Sequence, residues 1–136
     1  MPTNVPLPQS TIIYSDIADS MNANPITGDV LQVTGAASVI QSVMNLIQLG
    51  HYEKPFHPEI GSGVTQLLFE QGSPQVCQLI AKEITNTLQN FEPRVTVLNV
   101  AVEVDSVGHG FNVTIQFQIV SIPTPIQISV FLQRLR

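Results

Sequence analysis

The segment FNVTIQFQI, residues 111–119, decides the fold class of this chain. Large apolar residues alternate with polar ones along it, a pattern typical of a β-strand with one buried face. The same alternation occurs in two further runs, residues 98–104 and 126–133, and the shared apolar face comprises Leu98, Val100, Val102, Val104, Phe111, Val113, Ile115, Phe117, Ile119, Ile126, Ile128, Val130 and Leu132. Because the links between the runs are short and rich in glycine or proline, the sequence predicts a three-stranded antiparallel meander.

Two amphipathic helices are predicted upstream of the meander. The clearer one begins at Ser73-Pro74, a capping residue followed by proline at the first helical position, and is ended by Pro93. The other is predicted between Thr34, as its N-cap, and Gly50, as its stop. The apolar positions of the two helices are Ala36, Ile40, Val43, Met44, Ile47, Cys77, Ile80, Ala81, Ile84, Leu88 and Phe91. The predicted fold class is therefore α+β, with two main helices packed on one face of the meander.

The remaining segments are predicted to be short or irregular. The first eight residues contain three prolines, so residues 1–9 are expected to form a mobile N-terminal arm and residues 10–136 a single domain. Short extended pieces are predicted at residues 9–14 and 30–33, separated by a turn at residues 24–29. Residues 62–70 are expected to form at best a short helix.

The composition restricts the class of function. The 136 residues carry a formal net charge of −5, with only five Lys and Arg residues, which disfavours a nucleic-acid partner. The single cysteine, Cys77, excludes an internal disulfide and a cysteine-based zinc site. The chain shows neither a signal-peptide pattern nor an apolar run near the ~18 residues of a membrane span, so we expect a soluble protein, folded in a cytoplasm, without a membrane partner.

Charged residues are scarce and unevenly distributed. They make up 11% of the chain, and none occurs in residues 30–52 or 106–133. Protein interfaces are depleted of lysine and glutamate, whereas free surfaces usually carry them. The sequence therefore favours an assembly protein over a domain whose polar surface merely prefers glutamine.

No residue pattern points to catalysis or to a bound metal, cofactor or small-molecule substrate. His51 and His57, with Glu53 or Glu59, could form a metal site, but solvated loop histidines are much more common. Cys77 lies on an apolar helix face and is more typical of a core residue than of a nucleophile. A glycosidase would need two facing carboxylates, and no spacing among the acidic residues selects a pair. A cell-wall glycosidase nevertheless stays open as an alternative, as does a generic adaptor domain.

The triplet Glu92-Pro93-Arg94 stands between the clearer helix and the first strand. Proline restricts this turn, so the two opposite charges are held in a set relation. They either pair with each other, which would stabilise the fold by only ~0–1 kcal/mol if the pair is exposed, or serve another protein.

The order of the segments resembles a known family, the small baseplate wedge protein of contractile-tailed phages that initiates the tail sheath. Type VI secretion baseplates contain a related component. The matching segments are YSDI (14–17), NPITGDV (24–30), QSVMNLI (41–47), EKPFHPEIGSGV (53–64), LLFE (67–70), NFEPRV (90–95) and FQIV (117–120).

The resemblance implies a structural protein of the virion baseplate, assembled in the host cytoplasm, with a fold similar to the core domain of the sheath protein. Its partners would be other wedge subunits and the tail sheath protein. In the family the triplet docks onto a helical bundle of the wedge, a role that maps onto Glu92, Pro93 and Arg94. A charge-free meander is also a template for strand addition, and the surface expected to receive a sheath strand consists of Gln127, Ser129, Phe131 and Gln133.

Overall fold

A three-stranded antiparallel sheet forms one layer of the described part of the molecule, with two main helices, a one-turn helix and two short N-terminal strands beside it. A computed structural model describes residues 14–107 and 109–134. The elements are β1 (Ser15–Ile17), β2 (Gln32–Thr34), α1 (Ala36–Gln48), α2 (Val64–Leu67), α3 (Pro74–Phe91), β3 (Val95–Val104), β4 (Gly110–Ile119) and β5 (Ile126–Gln133).

Strand β4 lies between β3 and β5 and supplies the centre of the hydrophobic core. The alternation predicted for it is confirmed, since each of its inward side chains is at most 1% exposed: Phe111, Val113, Ile115, Phe117 and Ile119. Val130 and Leu132 of β5 are buried beside them. The meander and the α+β class are as predicted, with helices α1 and α3 both contributing to the same core.

Strand β3 departs from the predicted alternation at Leu98. Val97 pairs with Phe117 and Asn99 with Gln116, so Leu98 is an extra residue, a β-bulge. One inserted residue reverses the faces of the residues that follow it. Leu98 is consequently 52% exposed, and the prediction that it shares the apolar face is wrong. The core contacts of β3 come from the buried Val95 and the half-buried Val97, Val100 and Val102.

Helix α3 begins and ends as predicted. The Ser73 hydroxyl accepts a hydrogen bond from the backbone N–H of Val76 at 3.3 Å, and Pro74 occupies the first turn. One face of the helix is buried against the sheet and α1, through Cys77, Ile80, Ile84 and Leu88.

The predicted N-cap of α1 is wrong. Thr34 belongs to β2, where it pairs with Ser15, and the helix is preceded by Gly35 at a φ of 67°, with no side-chain capping bond. A positive φ of this kind favours glycine, so the chain turns from strand into helix at Gly35. The predicted stop of the helix is confirmed, because α1 ends at Gln48 with the extended Leu49 as its C-cap and Gly50 directly after it.

The N-terminal segments are only partly described. The predicted strand at 9–14 lies outside the described residues except for Tyr14, and the observed β1 begins directly after it. The predicted arm, residues 1–9, also lies outside them. Helix α2 is a single turn within residues 62–70. Among the described helices, none combines the length and the apolar character needed to cross a membrane.

The cap of α3 gives a direct test of this part of the fold. Ser73→Ala removes the acceptor for the Val76 N–H, and we expect it to lower the free energy of unfolding by about 1 kcal/mol. Ser73→Asp is the matched control, because aspartate caps equally well and should retain wild-type stability. Chemical denaturation of the three proteins measures both effects, and equal stability of Ser73→Ala and wild type would contradict the role of the cap.

Candidate partner-docking site

The triplet Glu92-Pro93-Arg94 forms a tight turn between α3 and β3. The Glu92 N–H donates to the Leu88 carbonyl at 3.0 Å, which completes the helix. The Val95 N–H donates back to the Glu92 carbonyl at 3.2 Å, which closes the turn around Pro93. The Arg94 carbonyl accepts from the N–H of Val120 at 2.9 Å, so the turn is also tied to the segment that follows β4.

The Glu92 side chain is only 3% exposed and accepts three hydrogen bonds. Arg94 Nε donates to Oε1 at 2.6 Å and Arg94 Nη2 donates to Oε2 at 2.9 Å. The Ser42 hydroxyl of α1 donates to Oε2 at 2.5 Å. We call Ser42, Glu92 and Arg94 the carboxylate cluster. It joins α1, the end of α3 and the start of β3 through two-pronged, charge-assisted bonds.

The carboxylate cluster keeps Glu92 ionised. Burial alone would raise the pKa of Glu92, but the hydrogen bonds from Arg94 and Ser42 and the charge of Arg94 outweigh it and lower this pKa below its ordinary value of 4.5. The hydrogen bond to Glu92 in turn raises the pKa of Arg94. A buried carboxylate with a lowered pKa stabilises the folded state wherever the unfolded chain would also be ionised.

Arg94 is fixed on two sides and still reaches the surface. Its guanidinium carbon lies 5.4 Å from the centre of the Tyr14 ring, a cation–π contact, and its side chain is 28% exposed. Two of its five N–H donors bind Glu92, so three are left for other acceptors. Pro93 beside it is exposed. The surface offered by the triplet is thus Pro93 and the free edge of Arg94, with Glu92 beneath them.

This geometry refines what the sequence predicts for the triplet. The two charges do pair within the chain, but the pair is not the exposed one for which ~0–1 kcal/mol would apply. The sequence does not predict Ser42 or Tyr14 as site residues, although both lie in segments that resemble the family. Ser42 is 50 residues from Glu92, and nothing local marks its hydroxyl as a partner of that carboxylate.

The predicted strand-addition surface lies on β5, which has no strand on its outer edge among the described residues. Its four predicted residues are all exposed: Gln127, Ser129, Phe131 and Gln133. Gln127 accepts a hydrogen bond from Gln116 Nε2 at 3.1 Å across the strands. The Phe131 ring covers Gly110, where an added Cβ would lie 2.6 Å from Phe131 Cζ and 2.4 Å from the Leu132 carbonyl oxygen.

The histidines considered for a metal site lie in separate contacts. His57 contacts Glu59 at 3.1 Å, His51 contacts Glu83 at 3.9 Å, and Glu53 instead accepts from the Gly50 N–H at 2.8 Å. Within residues 14–107 and 109–134, no three His, Cys, Asp or Glu side chains come together as a potential metal-binding group. Cys77 is buried, as expected of a core residue, and burial raises the pKa of its thiol.

Three surface cavities lie in the described part of the chain where a glycosidase substrate could bind. Two adjoin each other between α3 and β3, with volumes of about 480 and 340 Å³, and the only carboxylate lining them is Glu103. The third, of about 530 Å³, lies beside His51 and has Glu83 as its carboxylate. None of these three cavities contains the two facing carboxylates that glycoside hydrolysis uses.

The carboxylate cluster predicts a pH-dependent contribution to stability. We expect Glu92→Gln to lower the free energy of unfolding by about 2–3 kcal/mol near pH 7, the usual value of hydrogen bonds to a charged group. Since the pKa of Glu92 is lowered by folding, this contribution is complete above the ordinary value of 4.5 and is lost as the pH falls through the lower folded-state pKa.

The measurement is denaturant unfolding of wild type and variant from pH 7 down to about pH 3, below the ordinary carboxylate pKa values. Glu103→Gln is the matched control, because Glu103 is an exposed glutamate of β3. The difference between wild type and Glu92→Gln should shrink at low pH. A difference that is the same at every pH would contradict an ionised, buried Glu92.

Comparison with known proteins identifies the family. The model of the family described as "Baseplate wedge protein gp25" matches residues 33–124. The baseplate wedge protein gp25 of Enterobacteria phage T4 is 29% identical over 115 residues, which cover 85% of this chain and 86% of the T4 protein.

Solved structures show that the fold is shared. A putative tail lysozyme from Geobacter sulfurreducens superposes with a TM-score of 0.69 at 19% identity, covering 76% of this chain and 96% of that one. A chain of the anti-feeding prophage baseplate superposes with a TM-score of 0.64 at 18% identity, covering 91% of this chain and 88% of that one. The family model spans most of the chain and agrees with the sequence resemblance, and the chain therefore belongs to the gp25 family of baseplate wedge proteins.

Proposed function

We propose that this chain is a structural, non-catalytic subunit of a contractile-tail baseplate wedge, docked on other wedge subunits through its Glu-Pro-Arg turn. The observation that carries the proposal is the carboxylate cluster. It holds Arg94 in one place while leaving part of its side chain exposed beside Pro93.

The chemistry of Arg94 suits a helical partner. The last four carbonyl groups of any helix lack partners within that helix, and a guanidinium with three remaining N–H donors can bind several of them at once. Glu92 and Tyr14 already restrict the Arg94 side chain, so binding would cost less side-chain entropy than it would for a free arginine. The docking partner we propose is the helical bundle formed by the other wedge subunits.

Substitution of Arg94 separates docking from folding. Arg94→Lys keeps the positive charge near Glu92 but lacks the planar, two-pronged donor. We expect this variant to melt within a few degrees of wild type and to bind the reconstituted wedge subunits about ten- to a hundredfold more weakly, which is less than the loss of about 2–5 kcal/mol on truncation of a buried charge because the charge is retained.

Ser42→Ala is the matched control. It removes one hydrogen bond to Glu92 and should lower stability by about 1 kcal/mol, while Arg94 keeps its place and docking keeps its strength. Thermal melting of the free proteins and titration against the same wedge subunits give both readouts. Wild-type docking by Arg94→Lys would contradict the proposed role.

The second part of the proposal concerns the sheath. Strand β5 is the end strand of an antiparallel sheet and carries no charged residue between Ile126 and Gln133. An extended segment of the sheath protein could add to its free edge, with backbone hydrogen bonds supplying affinity. In this proposal the first sheath ring grows on the baseplate in the host cytoplasm.

Lysines on β5 test the sheath proposal. The pair Gln127→Lys and Ser129→Lys should leave the fold intact, because both side chains are exposed, and should impair sheath nucleation, because lysines on an edge strand oppose pairing. The matched control is Asn112→Lys with Gln116→Lys, which places two lysines on exposed positions of the central strand. Counting sheathed baseplates by electron microscopy measures nucleation, and full sheath growth on the β5 variant would refute this part.

A cell-wall glycosidase is the second candidate function, and the fold shared with a putative tail lysozyme is the observation that favours it. Two of the three cavities have one lining carboxylate each, Glu103 in one and Glu83 in the other. A glycosidase uses two facing carboxylates, so this lining argues against the enzyme. Loss of turbidity of purified cell wall on addition of the pure protein would support the enzyme, whereas unchanged turbidity supports the structural role. A generic adaptor would show neither activity nor binding to the wedge subunits.

A further inference from the structure

The loop between α1 and α2 is closed at its base by tight backbone contacts. The Ser62 N–H donates to the Leu49 carbonyl at 2.8 Å, and the buried Ser62 hydroxyl donates to the Ile47 carbonyl at 2.8 Å. Gly61 has a φ of 142°, and a Cβ there would lie 2.7 Å from the Gly50 carbonyl oxygen. Only glycine fits at this position, so the loop can close at its base only because residue 61 lacks a side chain.

The tip of the same loop presents two aromatic residues on unfavourable backbone. Tyr52 has a φ of 69° and is 83% exposed, and Phe56 has a φ of 67° and is 97% exposed. Bulky residues rarely adopt a positive φ, because the side chain crowds the neighbouring backbone. The Tyr52 N–H donates to the Pro58 carbonyl at 3.0 Å, which braces the tip across its width.

Phe56 thus carries two free-energy costs in the isolated chain. Its ring is left in water, and its backbone is held in a sparsely populated conformation. Strain of this kind persists where the surrounding structure imposes it and is concentrated at functional sites. Large aromatic residues are also among the side chains that dominate binding free energies at interfaces.

The charges around Phe56 indicate what it would meet. Glu53 is bound to the Gly50 N–H, Glu59 is bound to His57, and the charge of Lys54 also acts on Glu59. Each of these charged side chains thus already has a partner within the loop, so a partner surface that receives the ring would complement the tip best with an uncharged, apolar pocket.

We propose that Phe56 is an anchor residue that inserts into a preformed apolar pocket on another subunit of the baseplate wedge. The wedge is the assembly to which the family assigns this chain. The inference does not depend on the roles proposed for Arg94 or β5. The loop is also separate in space from the carboxylate cluster. Ser42 lies six residues before the end of α1, so the loop begins about 9 Å beyond Ser42 along the helix axis.

Replacement of Phe56 should change stability and binding in opposite directions. Phe56→Asn removes the ring and introduces a residue that tolerates a positive φ. We expect the melting temperature of the free protein to rise by about 2–4 °C, because backbone strain is relieved. We expect binding to the reconstituted remaining wedge subunits to weaken at least tenfold.

Met21→Asn is the matched control, because Met21 also has a positive φ, 50°, and is 72% exposed, but lies before β2. It should raise the melting temperature similarly without weakening binding. The titration uses the remaining wedge subunits and, separately, the sheath protein. Unchanged wedge binding by Phe56→Asn, an equal loss by Met21→Asn, or a loss confined to the sheath protein would each overturn the inference. Arg94→Lys in the same titration reports on the Glu-Pro-Arg turn independently.

Discussion

A carboxylate that is only 3% exposed needs a cation and hydrogen-bond donors, because an unpaired buried charge is strongly destabilising. Glu92 meets this need with a two-pronged arginine from the turn before β3 and a hydroxyl from α1. This contact therefore fixes α1, the end of α3 and the start of β3 relative to one another. The direction in which β3 leaves α3, and the position of the exposed edge of Arg94, both depend on this contact.

The parts of the fold that the sequence predicts are those specified by one repeated pattern. Strand β4 alternates without interruption, and α3 has a cap, a proline at its start and a proline after its end. The errors arise where tertiary contacts override a local signal. Thr34 is a good capping residue in isolation, but its pairing with Ser15 leaves the turn to Gly35. In the sequence Leu98 continues the alternation of β3, but the bulge places its side chain on the exposed face.

The candidate site shows the same limit. The sequence places Glu92 and Arg94 two positions apart around a proline, so an ion pair between them could be foreseen. The burial of that pair could not, because it depends on Ser42 and on how closely α1 approaches the turn. The sequence likewise does not single out Phe56 from the other residues of its proline-rich loop. Only its backbone conformation and its nearly complete exposure distinguish it from a core residue.

Two of the proposed interaction surfaces are held by contacts within the fold: Arg94 by Glu92 and Tyr14, and β5 by its pairing with β4. Prior ordering lowers the entropy cost of association. That property suits the docking role proposed for this member of the baseplate wedge family.

The ionisation of Glu92 tests the account most directly, since the carboxylate cluster is the contact on which the others depend. The measurement is a pH titration of the side-chain carboxyl carbon of Glu92 by nuclear magnetic resonance in the folded protein. The account predicts a midpoint below the ordinary value of 4.5, and a smaller lowering in Arg94→Lys, which keeps the positive charge and the Ser42 hydrogen bond but loses the two-pronged donor. A midpoint at or above 4.5 in the wild-type protein would show that burial outweighs the hydrogen bonds, and would contradict it.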